Sequence, residues 1–362
     1  MSANWVLLLL PANGNSTRKV GGLAVALRLA LDAQAAGADA VINGAGDEII
    51  ARALADQRLH LPVLRESPSD KRILAIPANW LVHRSWLKTL VEQASEGSLR
   101  IDVSGVKLSG FAAWGFDPIV VTDARSATQA ERLLFRSLRK VQDGWTSRWL
   151  NRYVSLFISK WLARTPFSPN QISVAILAVG LVGAYCASHG TYGSLALGAI
   201  LFQMQSVLDG CDGEVSRVTF RGSKAGEWFD TIGDDLTNYS FFAAAAYGLY
   251  QTTHQTLYVI AGSLTVLCGF LASGLEYRYL IRIGSGDLLK YPLSQVTLAP
   301  AHGIGRLAPL LKRDSFVFLT MLAALFNLVS VALLIFALGA IGITLAVLKT
   351  EWRLAQKAAG GR

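Results

Sequence analysis

The sequence predicts a chain of two parts, a soluble α/β domain followed by an all-α bundle of six transmembrane helices. Two observations lead to this prediction. Over residues 1–135 short apolar runs alternate with helical patterns, whereas from residue 169 onward the apolar segments approach the length of a bilayer crossing. The composition agrees, because 52% hydrophobic and 16% charged residues are an apolar balance for a soluble protein, and 362 residues leave room for two domains.

Residues 1–135 show the alternation of strands and helices that is typical of a mostly parallel sheet. The predicted strands are Trp5–Ala12, Ala40–Ile42, Leu61–Leu64 and Arg72–Ile76, and the predicted helices include Leu23–Ala36 and Trp86–Ala94. A segment of different character, residues 136–168, then mixes Trp, Leu, Ile and Phe with Arg and Lys at helical spacing. This pattern predicts an amphipathic helix at the membrane interface, with an ordinary surface helix as the alternative.

Residues 169–362 contain six apolar segments that are predicted to span the membrane. They are Ile172–Ala187, Ser194–Val207, Thr237–Tyr250, Leu257–Ser273, Phe316–Asn327 and Val329–Val347. The loops at one end of these spans carry Lys and Arg, whereas loops 188–193 and 251–256 at the other end carry none. Under the positive-inside rule the α/β domain, the loop before the third span and the C-terminus face the cytoplasm.

Four aspartates lie where the second and third predicted spans meet a basic loop. Asp209 and Asp212 are three residues apart and Asp230 and Asp234 are four apart, so each pair lies on one face of a helix. Acidic groups cost roughly 2.5–3.5 kcal/mol near the centre of a membrane helix and usually have a function. Four carboxylates on facing helices would repel one another unless a hard divalent cation bound them. The pattern predicts a metal site, with a polar helix-packing network as the alternative.

Glycines and an arginine surround these aspartates. Gly213 and Gly226 leave the helix backbone open to close approach by a bulky ligand, and Arg217 is placed to pair with a phosphate oxygen. Metal ions held by carboxylates bind diphosphates, and a further carboxylate can remove a proton from an attacking hydroxyl. Asp235 points about 100° away from Asp234 around the helix, so it is left out of the predicted site.

The pattern D-x-x-D-G-x-x-S-R-x8-G-x3-D-x3-D over residues 209–234 resembles the signature of the CDP-alcohol phosphotransferase family, with Ser216 in place of the usual Ala. The segment TPFSPNQIS, residues 165–173, is similar to the family's approach to the first span. The resemblance implies a reaction in which an acceptor hydroxyl attacks the β-phosphorus of a CDP-linked alcohol and CMP leaves. It also implies a homodimer.

The resemblance further assigns roles to residues of this chain. Asp209, Asp212 and Asp230 are expected to hold two Mg²⁺ or Mn²⁺ ions, with Asp212 bridging them. Asp234 is expected to be the catalytic base and a further member of the metal site. The CDP moiety is expected to contact Asp209, Gly213, Arg217 and Gly226.

Residues 140–155 and 312–319 are similar to segments of the family's di-inositol phosphodiester synthase branch, whose members carry an N-terminal nucleotidyltransferase domain. The start of this chain looks like the first strand, loop and helix of that fold. Its glycine-rich loop is reduced to NGNSTR at residues 13–18, and Asn79 stands where a metal-binding Asp is expected. The resemblance therefore implies a degenerate domain of structural or regulatory role, with the donor supplied from elsewhere. An active cytidylyltransferase is the alternative.

The sequence indicates the chemical classes of the donor and the acceptor and does not identify either compound. The donor is a CDP-linked alcohol of the CDP-diacylglycerol or CDP-inositol type, and the acceptor is a hydroxyl compound such as an inositol phosphate. Arg278, Arg282 and Arg313 are candidates for an acceptor-phosphate pocket, and positive-inside anchoring is an equal alternative. Membrane lipids are expected partners, and nucleic acid is not, because no basic groove with interleaved aromatic residues is present.

Two other functional classes fit parts of the sequence. Intramembrane carboxylates also mark cation- or proton-coupled transporters, but those distribute acids through the membrane and contain internal repeats. In this chain the acids gather at one place and no repeat is evident. A catalytically inactive membrane scaffold is the second alternative, and the intact set of four aspartates argues against it.

Overall fold

The computed structural model describes residues 4–12, 15–44, 46, 48–66, 68, 71–93, 100–102, 117–139, 146–296 and 312–360. Loop residues Asn13 and Gly14, and the start of the 140–155 segment, lie outside the described residues. The chain divides into two compact units. We call residues 1–140, 160–166 and 217–221 the α/β unit, and residues 141–159, 167–216 and 222–362 the helical unit.

The α/β unit is built on a five-stranded parallel sheet. Its strands and helices are β1 (Trp5–Leu10), β2 (Lys19–Val20), β3 (Leu23–Ala24), α1 (Val25–Ala36), β4 (Ala40–Asn43), α2 (Glu48–Leu54), β5 (Val63–Leu64), β6 (Arg72–Pro77), β7 (Trp80–Leu81), α3 (Arg84–Gln93), β8 (Arg100–Asp102), β9 (Ile119–Val120) and α4 (Ala124–Arg136). The main sheet has the order β5-β4-β1-β6-β8, and every pairing in it is parallel. The predicted α/β class is therefore confirmed.

Strand β1 shows why this segment becomes the central strand. Its sequence, WVLLLL, has no polar face, as expected for a strand covered on both sides. Trp5, Leu7 and Leu9 pack into one buried cluster, while Val6 packs with Ile42 in another. The helix predicted from Leu23 begins two residues later, because residues 23–24 pair with β2 as a short antiparallel strand.

Two arginines of the α/β unit bind backbone carbonyls of segment 217–221, a feature that the sequence pattern did not predict. The buried Arg28 donates from Nη2 to the carbonyl oxygens of Val20 at 3.0 Å and Val218 at 2.8 Å. Arg58 donates from Nη1 to the carbonyl oxygen of Thr219 at 2.8 Å. Burial lowers the pKa of Arg28 to about 10, so it stays charged at neutral pH. These cations satisfy carbonyls at the end of a helix, where backbone acceptors lack intrahelical partners.

The buried Asp32 of α1 gives the α/β unit a pH-dependent stability. Burial raises the pKa of its carboxyl to about 7, although Arg28 partly opposes the shift. Because the pKa of Asp32 in the folded state exceeds its ordinary value, protonation of this carboxyl favours the folded state. This contribution to the free energy of unfolding is complete below about pH 4 and is lost as the pH rises to about 7. We expect Asp32→Asn to raise the melting temperature relative to the unmodified protein, by an amount that grows between about pH 4.5 and 7.5. Unfolding scans across this range check it, and a constant difference would contradict the assignment.

The helical unit contains the six predicted span segments as helices. The helices after α4 are α5 (Arg152–Leu162), α6 (Pro169–Ala187), α7 (Tyr192–Leu208), α8 (Gly210–Thr219), α9 (Lys224–Thr253), α10 (Thr256–Ile283), α11 (Pro292–Val296), α12 (Arg313–Leu325) and α13 (Val329–Gly360). Among the described residues, four stretches are long and apolar enough to cross a membrane: Pro169–Ala187, Tyr192–Thr219, Thr256–Ile283 and Val329–Gln356. Of the other two predicted spans, α12 has only 13 residues and α9 carries the acidic residues of the site. The chain thus has the apolar helices of an integral membrane protein.

Local sequence signals determine how α6 begins and how closely it packs. Ser168 caps its N-terminus in a reciprocal capping box with Gln171, and Pro169 occupies the first helical position. At Gly180 an added Cβ would lie 2.6 Å from the Thr237 side chain of α9, and Gly183 approaches α7 in the same way. Small residues therefore allow α7 and α9, which carry the aspartates, to pack closely on α6.

Helix α5 is amphipathic and follows a π-helical turn over residues 147–151. Trp149, Tyr153, Phe157 and Trp161 recur every fourth residue and are all exposed. On the opposite side of the helix, Ser155 and Ser159 are buried. An exposed aromatic face of this kind suits the membrane interface, which remains the prediction for this segment.

Candidate active site

Three of the four predicted aspartates converge in the helical unit. Asp209 follows the last residue of α7, while Asp230 and Asp234 lie one turn apart on α9. One carboxylate oxygen from each of the three residues lies within 4.8 Å of the other two. Because four-residue spacing places Asp230 and Asp234 on the same helix face, the packing of α9 beside α7 is sufficient to bring the set together.

The side chain of Arg313, at the start of α12, lies against this carboxylate group. Its Nη1 is 2.7 Å from Asp234 Oδ1 and 3.2 Å from Asp209 Oδ2. Its Nη2 donates to Gln205 Oε1 at 2.8 Å and its Nε donates to Asn238 Oδ1 at 3.3 Å. The sequence assigned Arg313 to an acceptor pocket, and the structure places its guanidinium on the aspartates themselves. The Asp234 contact is an ion pair by distance without hydrogen-bond alignment, so this buried oxygen can accept another ligand.

Asp212, the fourth aspartate, lies on α8 and is buried. Its Oδ2 accepts a short hydrogen bond from the hydroxyl of Ser173 on α6. It lines the same cleft as the other three aspartates, but it is not one of the group within 4.8 Å. The bridging role that the sequence assigned to Asp212 therefore remains a prediction.

The cleft between these side chains is narrow. It is lined by Ser173, Ile176, Leu177, Gln205, Asp209, Asp212, Phe229, Asp230, Gly233 and Asp234, and its volume is about 10 Å³. That volume is about the size needed for one water-sized occupant. All of its charged groups are carboxylates, which are the hard oxygen donors that Mg²⁺ and Mn²⁺ prefer. The donor set therefore fits a divalent cation.

A buried glutamate that the sequence analysis passed over connects α8 to α5. Glu214 is fully buried, and its Oε1 accepts from Arg152 Nη1 at 2.6 Å and from the hydroxyl of Ser155 at 2.8 Å. Its Oε2 accepts from the hydroxyl of Ser159 at 2.7 Å. The sequence signal for Glu214 was its position as an acidic residue within the aspartate motif. Its hydrogen-bond partners become visible only in the fold. The network fixes α8, and with it Asp212, against the amphipathic helix.

Removing the Glu214 carboxylate should be strongly destabilising. Glu214→Ala removes an ion-pair partner of the largely buried Arg152 and the acceptor of two buried serine hydroxyls, so we expect a loss of about 3–5 kcal/mol. Glu214→Gln retains hydrogen-bonding capacity for the two serines and should lose less. Thermal unfolding of the purified protein in detergent measures both. Equal melting temperatures for the Ala variant and the unmodified protein would contradict the structural role.

The other predicted site residues lie in several places. Gly226 is in the first turn of α9, where an added Cβ would lie 3.0 Å from Asn170 Oδ1, so the glycine has a packing role as well. Gly213 and Arg217 lie on α8, and their contacts with a nucleotide stay predictions. Arg278 and Arg282 are exposed on α10 and are not part of the cleft lining.

Asn79, which stands where the resemblance implies a metal-binding Asp, has a structural contact in the α/β unit. It is buried, and its amide Nδ2 donates to the carbonyl oxygen of Val121 at 3.1 Å. The backbone N–H of Val121 in turn donates to the carbonyl oxygen of Asn79 at 2.9 Å. This reciprocal pair holds the segment after β6 beside the end of β9, which agrees with a domain kept for its fold.

Fold and site together describe a class of protein in which helices apolar enough to cross a membrane accompany a cluster of carboxylates that fits a divalent cation. Residues 167–341 match the family model described as CDP-alcohol phosphatidyltransferase. The matched residues make up just under half of the chain.

Curated relatives of one name are also similar to this chain. It is 34% identical over 229 residues to the "Bifunctional IPC transferase and DIPP synthase" of Thermococcus kodakarensis, covering 63% of this chain and 46% of the relative. It is 37% identical over 153 residues to the protein of the same name from Aquifex aeolicus, covering 42% and 33%. The chain thus spans about half, or less, of the length of these relatives.

A solved structure was also matched. It is the phosphatidylinositol phosphate synthase of Mycobacterium tuberculosis with CDP-DAG bound, at 16% identity and a TM-score of 0.42. The match covers 55% of this chain and 94% of that one.

Proposed function

We propose that this protein is a divalent-metal-dependent CDP-alcohol phosphotransferase of the membrane, which transfers a phospho-alcohol group from a CDP-linked donor to an acceptor hydroxyl and releases CMP. The observation that carries the proposal is the convergence of Asp209, Asp230 and Asp234 at the ends of apolar helices, within the region that matches the family. An enzyme of this kind needs carboxylates for metal ions at the depth where an activated alcohol meets its acceptor.

The proposed roles follow from the positions of the side chains. Asp209, Asp212 and Asp230 would hold the metal ions, and bound Mg²⁺ or Mn²⁺ would neutralise the charge of the diphosphate. Asp234 would accept the proton of the acceptor hydroxyl as that oxygen attacks the β-phosphorus. Arg313, which pairs with Asp234 and Asp209, would hold the carboxyl group of the base in position.

The binding of CDP is assigned to Asp209, Gly213, Arg217 and Gly226. The cleft has room for one water-sized occupant, so the nucleotide would extend outward from it, past the first turn of α9. Arg278 and Arg282 stay candidates for an acceptor phosphate, since exposed cations are available to an incoming anion.

The similarity to the bifunctional IPC transferase and DIPP synthases supports an inositol-containing substrate pair, with CDP-inositol as donor and an inositol phosphate as acceptor. CDP-diacylglycerol is the lipid alternative. The α/β unit is proposed to be a degenerate nucleotidyltransferase domain with a structural or regulatory role. We further propose a cytoplasmic α/β unit and active site, in a homodimer.

A donor and acceptor panel tests the proposed reaction. Purified protein with Mg²⁺ or Mn²⁺ is given CDP-inositol or CDP-diacylglycerol and a set of alcohols, and CMP release is followed. We expect CMP only when a donor and an acceptor are both present. A protein that releases no CMP with any pair, but moves cations or protons in vesicles, would be a transporter instead.

A further inference from the structure

A second cavity of the helical unit borders a different face of α9. It has a volume of about 610 Å³ and is bounded by α9, α10, α12 and α13. Asp235, Asn238 and Tyr239 line it, whereas Asp234 lines the metal cleft. Because consecutive helical residues point about 100° apart, the two sites use separate faces of the same helix.

The walls of this cavity are mostly apolar. Phe242 and Phe336 line it together with Leu319, Ile335 and Ile343. The last three side chains are also exposed, at 48%, 63% and 51%. Ile335 and Ile343 lie on α13, which is apolar enough to cross a membrane, so their exposed side chains face lipid and the cavity is open towards hydrocarbon. Its volume is in the range of sites that enclose a small amphiphile.

Acidic groups contribute a polar region to the same cavity. Asp235 of α9 and Glu276 of α10 both line it, and the Tyr277 hydroxyl donates to Asp235 Oδ2 at 2.6 Å. Tyr239 and Ser273 join their hydroxyls at 2.7 Å between the same two helices. Within the described part of the chain, neither carboxylate forms an ion pair with Lys, Arg or His. Two carboxylates in an apolar setting without a cation are unfavourable, and a bound cation would offset that cost.

We propose that this cavity binds an amphiphilic cation, a long-chain aliphatic amine, with its ammonium group between Asp235 and Glu276 and its chain along α12 and α13. The charge of the two acids selects a cation, and an ammonium group also supplies the hydrogen-bond donors that carboxylates need. The apolar walls and the opening to lipid select a hydrocarbon chain. The proposal does not depend on the transferase activity, since it uses neither the metal cleft nor its aspartates.

Photolabelling tests this site on the full-length protein in phosphatidylcholine nanodiscs. The probe is dodecylamine with a diazirine at the end of its chain, and the equivalent dodecanol probe is the uncharged comparison. We expect saturable amine labelling of peptides that contain residues 331–344, displaced by unlabelled dodecylamine and not by equal dodecanol. Glu276→Gln should weaken amine binding at least tenfold and leave alcohol labelling unchanged.

Two glycine variants show whether a loss of labelling comes from filling the cavity or from a general disturbance of α13. An added Cβ at Gly339 or at Gly342 meets no atom within 4 Å, but only Gly339 is among the residues that line the cavity. Gly339→Phe should abolish saturable amine labelling, and Gly342→Phe should preserve it. Equal labelling by amine and alcohol, or unchanged amine affinity in Glu276→Gln, would overturn the proposal. Absence of labelling because a second copy of the chain covers α13 would overturn it as well.

Discussion

Replacing Asp234 with Asn is expected to lower kcat for CMP release about 10²–10⁴-fold, because a positioned general base contributes a factor of that size. The amide has nearly the shape of the carboxylate but cannot accept the proton of the acceptor hydroxyl. The substitution leaves Arg313 paired with Asp209, so the protein should remain folded. Initial rates of CMP formation at saturating donor and acceptor measure the effect.

A matched control for loss of an acidic charge is available on a helix outside the proposed site. That helix is α2 of the α/β unit, where Glu48 lies in the first turn with its side chain 88% exposed. Glu48→Gln removes the same charge and should leave kcat within about twofold, as substitutions of exposed groups away from a site generally do. Full activity of Asp234→Asn would show that another group is the base, whatever the fate of the control.

Replacing Arg313 with Met is expected to destabilise the protein by about 3–5 kcal/mol when metal is absent, since it leaves Asp209 and Asp234 without their cation. A divalent ion that binds the folded state should recover part of this loss, by about 2.7 kcal/mol at one hundred times its dissociation constant. We therefore expect Mg²⁺ to raise the melting temperature of Arg313→Met more than that of the unmodified protein. Unfolding scans in chelator and in excess Mg²⁺ give both values.

Lys349→Met is the control for loss of a cation, because Lys349 is exposed on α13 and lines neither the cleft of the aspartates nor the second cavity. It should unfold at the same temperature as the unmodified protein in either condition. If Mg²⁺ stabilised neither the Arg313 variant nor the unmodified protein, the aspartates would not be a metal site. Arg313→Met should also lower activity, because the position of Asp234 depends on this contact.

Local sequence signals predicted a large part of the fold. The continuous apolar run in β1 indicated a central parallel strand, and Ser168, Pro169 and Gln171 indicated the start of α6. The i,i+4 spacing of Asp230 and Asp234 placed both on one helix face. In each case the information lies within a few residues of chain, which is the range over which propensity and periodicity act.

The parts that the sequence did not predict depend on contacts between distant residues. Arg313 was assigned to an acceptor phosphate because nothing local connects it to Asp234, which is 79 positions earlier in the chain. Arg28 reaches the carbonyl of Val218 across 190 positions, and Glu214 reaches Ser155 across 59. Asp235 was set aside because of its direction on α9, and only the packing of four helices shows that this direction leads into a second cavity.

The central claim is that the aspartates hold the divalent metal ions needed for phosphotransfer. Its most direct test is to remove the metal with a chelator, add it back, and measure CMP release each time. The purified protein is stripped with EDTA, given a CDP-alcohol donor and its acceptor, and then supplied with Mg²⁺ or Mn²⁺ while CMP is measured. We predict no CMP before the metal is added and immediate release afterwards, and no recovery in Asp209→Asn or Asp230→Asn at the same metal concentration. CMP release that continues in EDTA, or that recovers equally in those two variants, would contradict a carboxylate metal centre as the site of phosphotransfer.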